Sequence, residues 1–169
     1  GYIANTPGLA SARGLATGHI TPRIAPDGAV RHIAPIICFE GRAYPSLGLA
    51  AVVKAAGVEP AWSLTEGQGW LAPAWRLSHS ALPGIVVPVD EKGNARLSYR
   101  LPRRALISVS AADVLSGTAP ESLFRGAWAL VGATAFGIGD AVPTPQGGAV
   151  AGVEVNAQFI SALLDGRLP

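Results

Sequence analysis

The sequence predicts an α/β domain in which a mixed β-sheet is flanked by helices. Three observations support this fold class: short apolar segments separated by turn residues, two segments with apolar residues at helical spacing, and a strand, glycine loop and helix in succession near the end. The chain has 169 residues, of which 49% are hydrophobic and 14% charged. That length and composition suit one domain with a sizeable core.

The first strands are predicted from turn signals and β-branched residues. Residues 1–16 show no periodicity and are predicted to be an irregular lead-in to a domain that spans residues 17–169. Asp27-Gly28 is a hairpin turn signal. The isoleucine-rich segment 30–39 predicts one continuous strand, with Pro35 at a sheet edge or a bulge.

Residues 46–56 predict the first helix, which Gly57 ends. Its apolar face is predicted to consist of Leu47, Ala51, Val52 and Ala55. Residues 58–83 contain three tryptophans among prolines and glycines, and predict either an insertion or short irregular pieces.

Residues 85–100 predict a β-hairpin around the turn 91–94. Ser110 is predicted to cap a short helix that Gly117 ends. The apolar segment Trp128 to Val131 predicts a buried strand that leads into a glycine-containing loop ending at Asp140. The final helix is predicted over residues 153–164, with Val153, Ala157, Ile160 and Leu164 on its core face.

Composition argues against several classes of function. The net charge is +2 and the basic residues are scattered, which does not favour nucleic-acid binding. The sequence has no window of 18 apolar residues, so any membrane attachment is expected to depend on helices outside this sequence. The three histidines, His19, His32 and His79, lie at no metal-ligand spacing, and we expect neither a metal nor a cofactor.

Two carboxylates near the end of the chain raise a catalytic hypothesis. Asp140 lies in the glycine loop and Glu154 in the first turn of the last helix, where the two could act as a general acid/base pair. The structural interpretation is that Glu154 complements the helix N-terminus and Asp140 caps the loop. The sequence favours the structural interpretation.

The segment around Cys38 raises a second enzymatic hypothesis. Residues 35–45 resemble the nucleophile segment of carbon–nitrogen hydrolases of the nitrilase type, in which a strand ends at a cysteine. Such enzymes use a glutamate and a lysine ahead of the cysteine, and neither residue type occurs before Cys38 here. We therefore predict that Cys38 is a small core residue, and keep the hydrolase as an alternative.

Several motifs, taken in order, resemble the CHASE type 2 sensor family. They include Asp27-Gly28-Ala29-Val30-Arg31, Ser98-Tyr99-Arg100, Val131-Gly132-Ala133-Thr134 with Gly139-Asp140 and Thr144-Pro145, and Gly152-Val153-Glu154-Val155-Asn156-Ala157. The resemblance covers roughly residues 17–166 and is that of the C-terminal part of such a domain, without its opening strand–helix units.

The resemblance implies an extracytoplasmic, non-enzymatic sensory domain of a bacterial transmembrane receptor with a cytoplasmic cyclase or kinase output. It implies a periplasmic or extracellular location and a C-terminal helix that passes the signal on. An unidentified small-molecule ligand is expected, together with a homodimer or a companion fragment that supplies the missing units. The residues expected to bind the ligand are Asp140, Thr144, Glu154, Asp27, Arg31 and Tyr99. A structural dimerisation module remains a further alternative.

Overall fold

The strands form several small antiparallel sheets packed against two main helices. The structure is a computed structural model, and it describes residues 15–134 and 141–169. A parallel bridge between His19 and Ser46 makes the strand pairing mixed. The predicted α/β class is therefore confirmed, although the strands are divided among separate small sheets.

The Asp27-Gly28 turn joins the first two strands, as predicted. Strand β1 (Pro22–Ile24) pairs antiparallel with β2 (Val30–Ile33). Gly28 has φ +81°, a conformation that suits glycine at the turn.

The prediction of one strand over residues 30–39 is wrong, because Pro35 divides it. Strand β3 (Ile36–Phe39) belongs to a different sheet and pairs with β4 (Arg42–Pro45). Proline has no N–H to continue a ladder, and the Pro35 carbonyl instead accepts a hydrogen bond from the Ser46 N–H at 2.7 Å.

Helix α1 (Leu47–Ala56) ends at Gly57 in the left-handed conformation, as predicted. Its buried face differs from the prediction, because Leu49, Val52 and Val53 are buried while Ala55 is exposed. The helix is apolar on most sides, so spacing alone could not select a face. Packing against the last helix selects it: a Cβ at Gly48 would lie 2.6 Å from the Phe159 ring.

Residues 58–83 contain regular strands joined by irregular segments, whereas the sequence predicted an insertion or only short irregular pieces. Strands β5 (Trp62–Glu66), β6 (Trp75–His79) and β7 (Leu82–Val89) form an antiparallel meander. The buried His79 imidazole holds the chain before β5: its Nε2 lies 2.9 Å from the Glu59 carbonyl oxygen and 3.1 Å from the Ala61 backbone nitrogen, and its Nδ1 accepts from the Ala81 N–H at 3.2 Å.

The turn after β7 is confirmed, whereas the predicted pairing of the strand that follows is wrong. Asp90 Oδ1 accepts hydrogen bonds from the Lys92 and Asn94 N–H groups at 2.9 and 2.8 Å. Strand β8 (Ala95–Arg96) then forms its ladder with β2. This pairing places the Asp27 hairpin beside residues 95–99, with alternate side chains buried along the latter.

The segment Leu101 to Thr134 contains the short helix α2 (Ala111–Leu115) and two single helical turns, Arg103–Ala105 and Glu121–Leu123. Ser110 caps α2 as predicted, since its Oγ accepts from the Ala112 N–H at 3.2 Å. The predicted buried strand from Trp128 to Val131 is wrong: this stretch has no strand assignment, and Val131 is 94% exposed.

A hairpin of β9 (Ala141–Pro143) and β10 (Ala149–Ala151) precedes helix α3 (Gly152–Leu164). The predicted helix is confirmed, but of its four predicted core residues only Ile160 is buried. Residues one or two positions away take the core instead, because α1 and β7 meet α3 on that side. The buried residues of α3 are Val155, Gln158, Phe159, Ile160, Ala162 and Leu163.

Candidate functional site

Three of the predicted ligand-binding residues lie together near the turn of the β1–β2 hairpin. The Arg31 guanidinium donates to Asp27 Oδ2 at 2.6 and 3.0 Å, and both side chains are partly exposed. The hydrogen bond from Arg31 lowers the pKa of the Asp27 carboxyl. Tyr99 is buried next to this pair, and its hydroxyl donates to the Val30 carbonyl at 2.5 Å.

Tyr99 is held on two sides, which suits a structural role. Burial raises the pKa of its hydroxyl to about 12, and the charge of Arg31 opposes that rise. Its backbone has φ +45°, unusual for a residue with a side chain. The Gln146 side-chain nitrogen donates to the Tyr99 carbonyl and thereby attaches the β9–β10 turn to this region.

The remaining predicted residues lie on other elements. Thr144 is buried in the β9–β10 turn, where its N–H donates to the Gly148 carbonyl at 3.2 Å. Glu154 is half-buried in the first turn of α3. Asp140 lies outside the described residues. The structure thus groups Asp27, Arg31 and Tyr99, and the predicted set stays a prediction.

Sequence reasoning missed a cavity of about 590 Å³ against the N-terminal half of α3. Its volume lies within the usual range for small-molecule sites. The walls come from the β1–β2 hairpin, α1, the segment Trp128 to Gly132, Val142 of β9, and α3. The lining residues that α3 contributes are Gly152, Val153, Val155, Asn156 and Ile160.

One wall of the cavity depends on a glycine. A Cβ built on Gly132 would lie 2.5 Å from the Val153 Cβ, closer than real side chains approach. Gly132 therefore lets the segment from Trp128 lie directly against the first turn of α3. Gly132 stood out in the sequence as part of a motif, but nothing local indicated that Val153 would be its neighbour.

Most side chains of the lining are aliphatic or aromatic, and those that carry a polar atom are Trp128, His32 and Asn156. The Asn156 amide nitrogen donates to the Gly152 carbonyl at 3.1 Å. Because a carbonyl can only accept, this bond orients the amide and directs Oδ1 away from Gly152. That oxygen is buried and has no hydrogen-bond partner.

The structure also bears on Cys38, on metal binding and on membrane-spanning helices. Cys38 is exposed on β3, so the prediction that it is a core residue is wrong. Within the described ranges, no three His, Cys, Asp or Glu side chains converge to hold a metal. No helix in this same part of the chain has the length and apolar character needed to cross a membrane.

Comparison of the sequence with protein-family models places the chain among extracytoplasmic sensory domains. The model that matches is the CHASE2 domain, over residues 3–168, and the chain belongs to that family. The predicted family is confirmed, over a wider range than the motifs suggested. Comparisons with curated proteins and with solved structures gave no match. The boundary at residue 16 stays a prediction.

Proposed function

We propose that this chain is the ligand-sensing domain of a bacterial transmembrane receptor, and that the cavity against α3 is its input site. The observation that carries the proposal is that α3, the last helix, supplies one wall of the cavity. A molecule in the cavity therefore contacts the element that we propose passes the signal towards the membrane. Membership of an extracytoplasmic sensory family supports a position outside the cytoplasmic membrane.

The packing of α3 suggests how occupancy would be transmitted. Its first two turns line the cavity, whereas Phe159 and Leu163 are buried in the core beside α1. A ligand can shift a conformational equilibrium only by its difference in affinity for the two states. In this proposal the two states differ in how closely the segment at Gly132 packs on Val153, which changes the position of the first turn of α3.

It also remains a proposal that the six residues predicted from the family motifs take part in ligand binding. Arg31 belongs to β2, and Asp27 and Tyr99 lie next to that strand. The other three residues of β2, Val30, His32 and Ile33, line the cavity. Asp27, Arg31 and Tyr99 would affect the ligand through this strand. The unidentified ligand, the cytoplasmic output domain, and a homodimer or companion fragment also remain proposals, as does the hydrolase alternative at Cys38.

A pair of identical substitutions on α1 tests the input site. Ala51 lines the cavity, and Ala55, one turn further along, is exposed and lies outside the lining. We expect Ala51→Phe in the full receptor to fill the cavity and to change its output or its response to ligand, and Ala55→Phe to leave both unchanged. Measurements of output with both variants at equal expression decide the matter. If Ala51→Phe folds and signals like the parent receptor, the cavity is not the input site.

A further inference from the structure

The walls of the cavity define the chemistry of the molecule that it binds. We infer that this is a neutral, mainly apolar small molecule, and that the site discriminates against anions. The inference rests on the proposed function in treating the cavity as a ligand site. It adds the ligand class, and it places the ligand in a lining that includes none of the described residues predicted from the family motifs.

The first argument concerns charge. Among the described residues that line the cavity there is no Lys, Arg, Asp or Glu. The one titratable side chain of the described lining is the His32 imidazole, so an ionic group that enters the site loses its hydration and meets no permanent counter-charge. That costs far more than burying an apolar group. The Asp27–Arg31 ion pair lies outside the lining and is already satisfied internally.

The second argument concerns the polar groups of the lining. The Asn156 nitrogen is engaged by the Gly152 carbonyl, and its oxygen has almost no accessible surface. Asn156 therefore presents little hydrogen-bonding capacity to an occupant. The rest of the surface on that side consists of Val153, Val155 and Ile160. Affinity would come from apolar contact, which suits a ligand with few polar groups.

The third argument is that the cavity is preformed by residues of the packed core. Val30, Ile33, Val155 and Ile160 belong to the buried core and form the floor of the cavity. The wall formed by the segment Trp128 to Gly132 is held at the close approach of Gly132 to Val153. A floor of core residues keeps its shape when the ligand is absent, which lowers the conformational cost of binding.

Two fluorescent probes with the same aromatic skeleton test the inference on the complete 169-residue chain. N-phenyl-1-naphthylamine is neutral, and 8-anilinonaphthalene-1-sulfonate adds one sulfonate group. We expect saturable binding of the neutral probe and at least about tenfold weaker binding of the sulfonate, because burying an unpaired charge is costly. Fluorescence titration measures both affinities.

Variants locate the binding. Ala51→Phe is expected to abolish the signal of the neutral probe, and Ala55→Phe to retain it. If Ala51→Phe loses its cooperative melt, Ala129→Phe fills the cavity from the segment Trp128 to Gly132. Gly132→Ala is expected to weaken binding several-fold, since the added methyl group must displace the wall from Val153.

Three results would overturn the inference: no saturable binding of the neutral probe to a chain that melts cooperatively, equal affinity for the sulfonate, or binding that survives both cavity-filling variants. A failure of the proposed function looks different. The neutral probe would then bind with the expected preference while Ala51→Phe left the output of the full receptor unchanged.

Discussion

Two regions of the molecule are stabilised in different ways. The first consists of Pro22 to Arg100 together with α3, and the second is the segment from Leu101 to Thr134. The first contains nearly all of the buried side chains, centred on Phe159, Leu49 and Val87. In the second, every described side chain is half-buried or exposed, and order depends on local hydrogen bonds such as the Ser110 cap. Only packing in a core makes a large contribution to the free energy of unfolding. The cavity lies where the two regions meet, so its floor is firm and one of its walls is the less stable segment.

Truncating one phenylalanine from each region should give the largest difference. Phe159 is fully buried, and Phe159→Ala is expected to lower the free energy of unfolding by about 3–5 kcal/mol through lost burial and a residual cavity. Phe124 is 38% exposed, and Phe124→Ala is the matched control, expected to cost less than about 1 kcal/mol. Denaturant titrations measure both values. Similar losses would mean that another chain covers the exposed segment in solution.

Tyr99→Phe tests a polar anchor of the packed region. The variant loses the hydrogen bond to the Val30 carbonyl, and we expect a loss of about 1 kcal/mol at neutral pH. The folded state keeps the Tyr99 proton up to about pH 12, whereas an unfolded tyrosine ionises near its ordinary pKa of 10.0. Stability should therefore fall as the pH rises above about 10, and fall less in the variant. Parallel pH dependences in the two proteins would contradict the buried hydroxyl.

His19 offers a smaller effect at acid pH. Burial lowers the pKa of its imidazole below the ordinary 6.5; the backbone at Ala34 opposes this shift, and the charge of Arg23 adds to it. The unfolded state then binds the proton more readily than the folded state. The contribution of His19 to stability is therefore present above about pH 6.5 and is lost as the pH falls. We expect His19→Gln to reduce the drop in melting temperature between pH 7.5 and 5.5. An unchanged drop would assign the acid sensitivity to other groups.

Ser110→Ala should have the smallest global effect and the clearest local one. The variant removes the acceptor for the Ala112 N–H, which weakens α2 by about 1 kcal/mol. Because the segment contributes little to the core, the global melting temperature should hardly change. Hydrogen exchange of the amides in Ala111–Leu115 should accelerate about fivefold. A large shift in melting temperature would show that the two regions unfold together.

Local features of the fold were predictable because their causes lie within a few residues. Asp27-Gly28 and Gly57 allow backbone conformations that end strands and helices, and the structure places turns and a helix end there. The existence of α1 and α3 followed from the length of their apolar, proline-free segments. The family also followed from short motifs in order.

Pairing and burial could not be predicted in the same way. The partner of β8 is β2, more than 60 residues earlier, and nothing in either strand identifies the other. The core residues of α1 and α3 depend on which sides of two broadly apolar helices meet. The cavity needs five separate elements at once, so no motif within one of them could indicate it.

The sequence alone determined the class, the family, the turns and the extent of the helices, because backbone preferences and motif order act over short distances. Tertiary structure alone decided that Pro35 separates two sheets, that Trp128 to Val131 forms a cavity wall in place of a buried strand, and that α3 faces the core with Phe159. These outcomes depend on surfaces contributed by remote residues, whose fit is settled only when the chain packs.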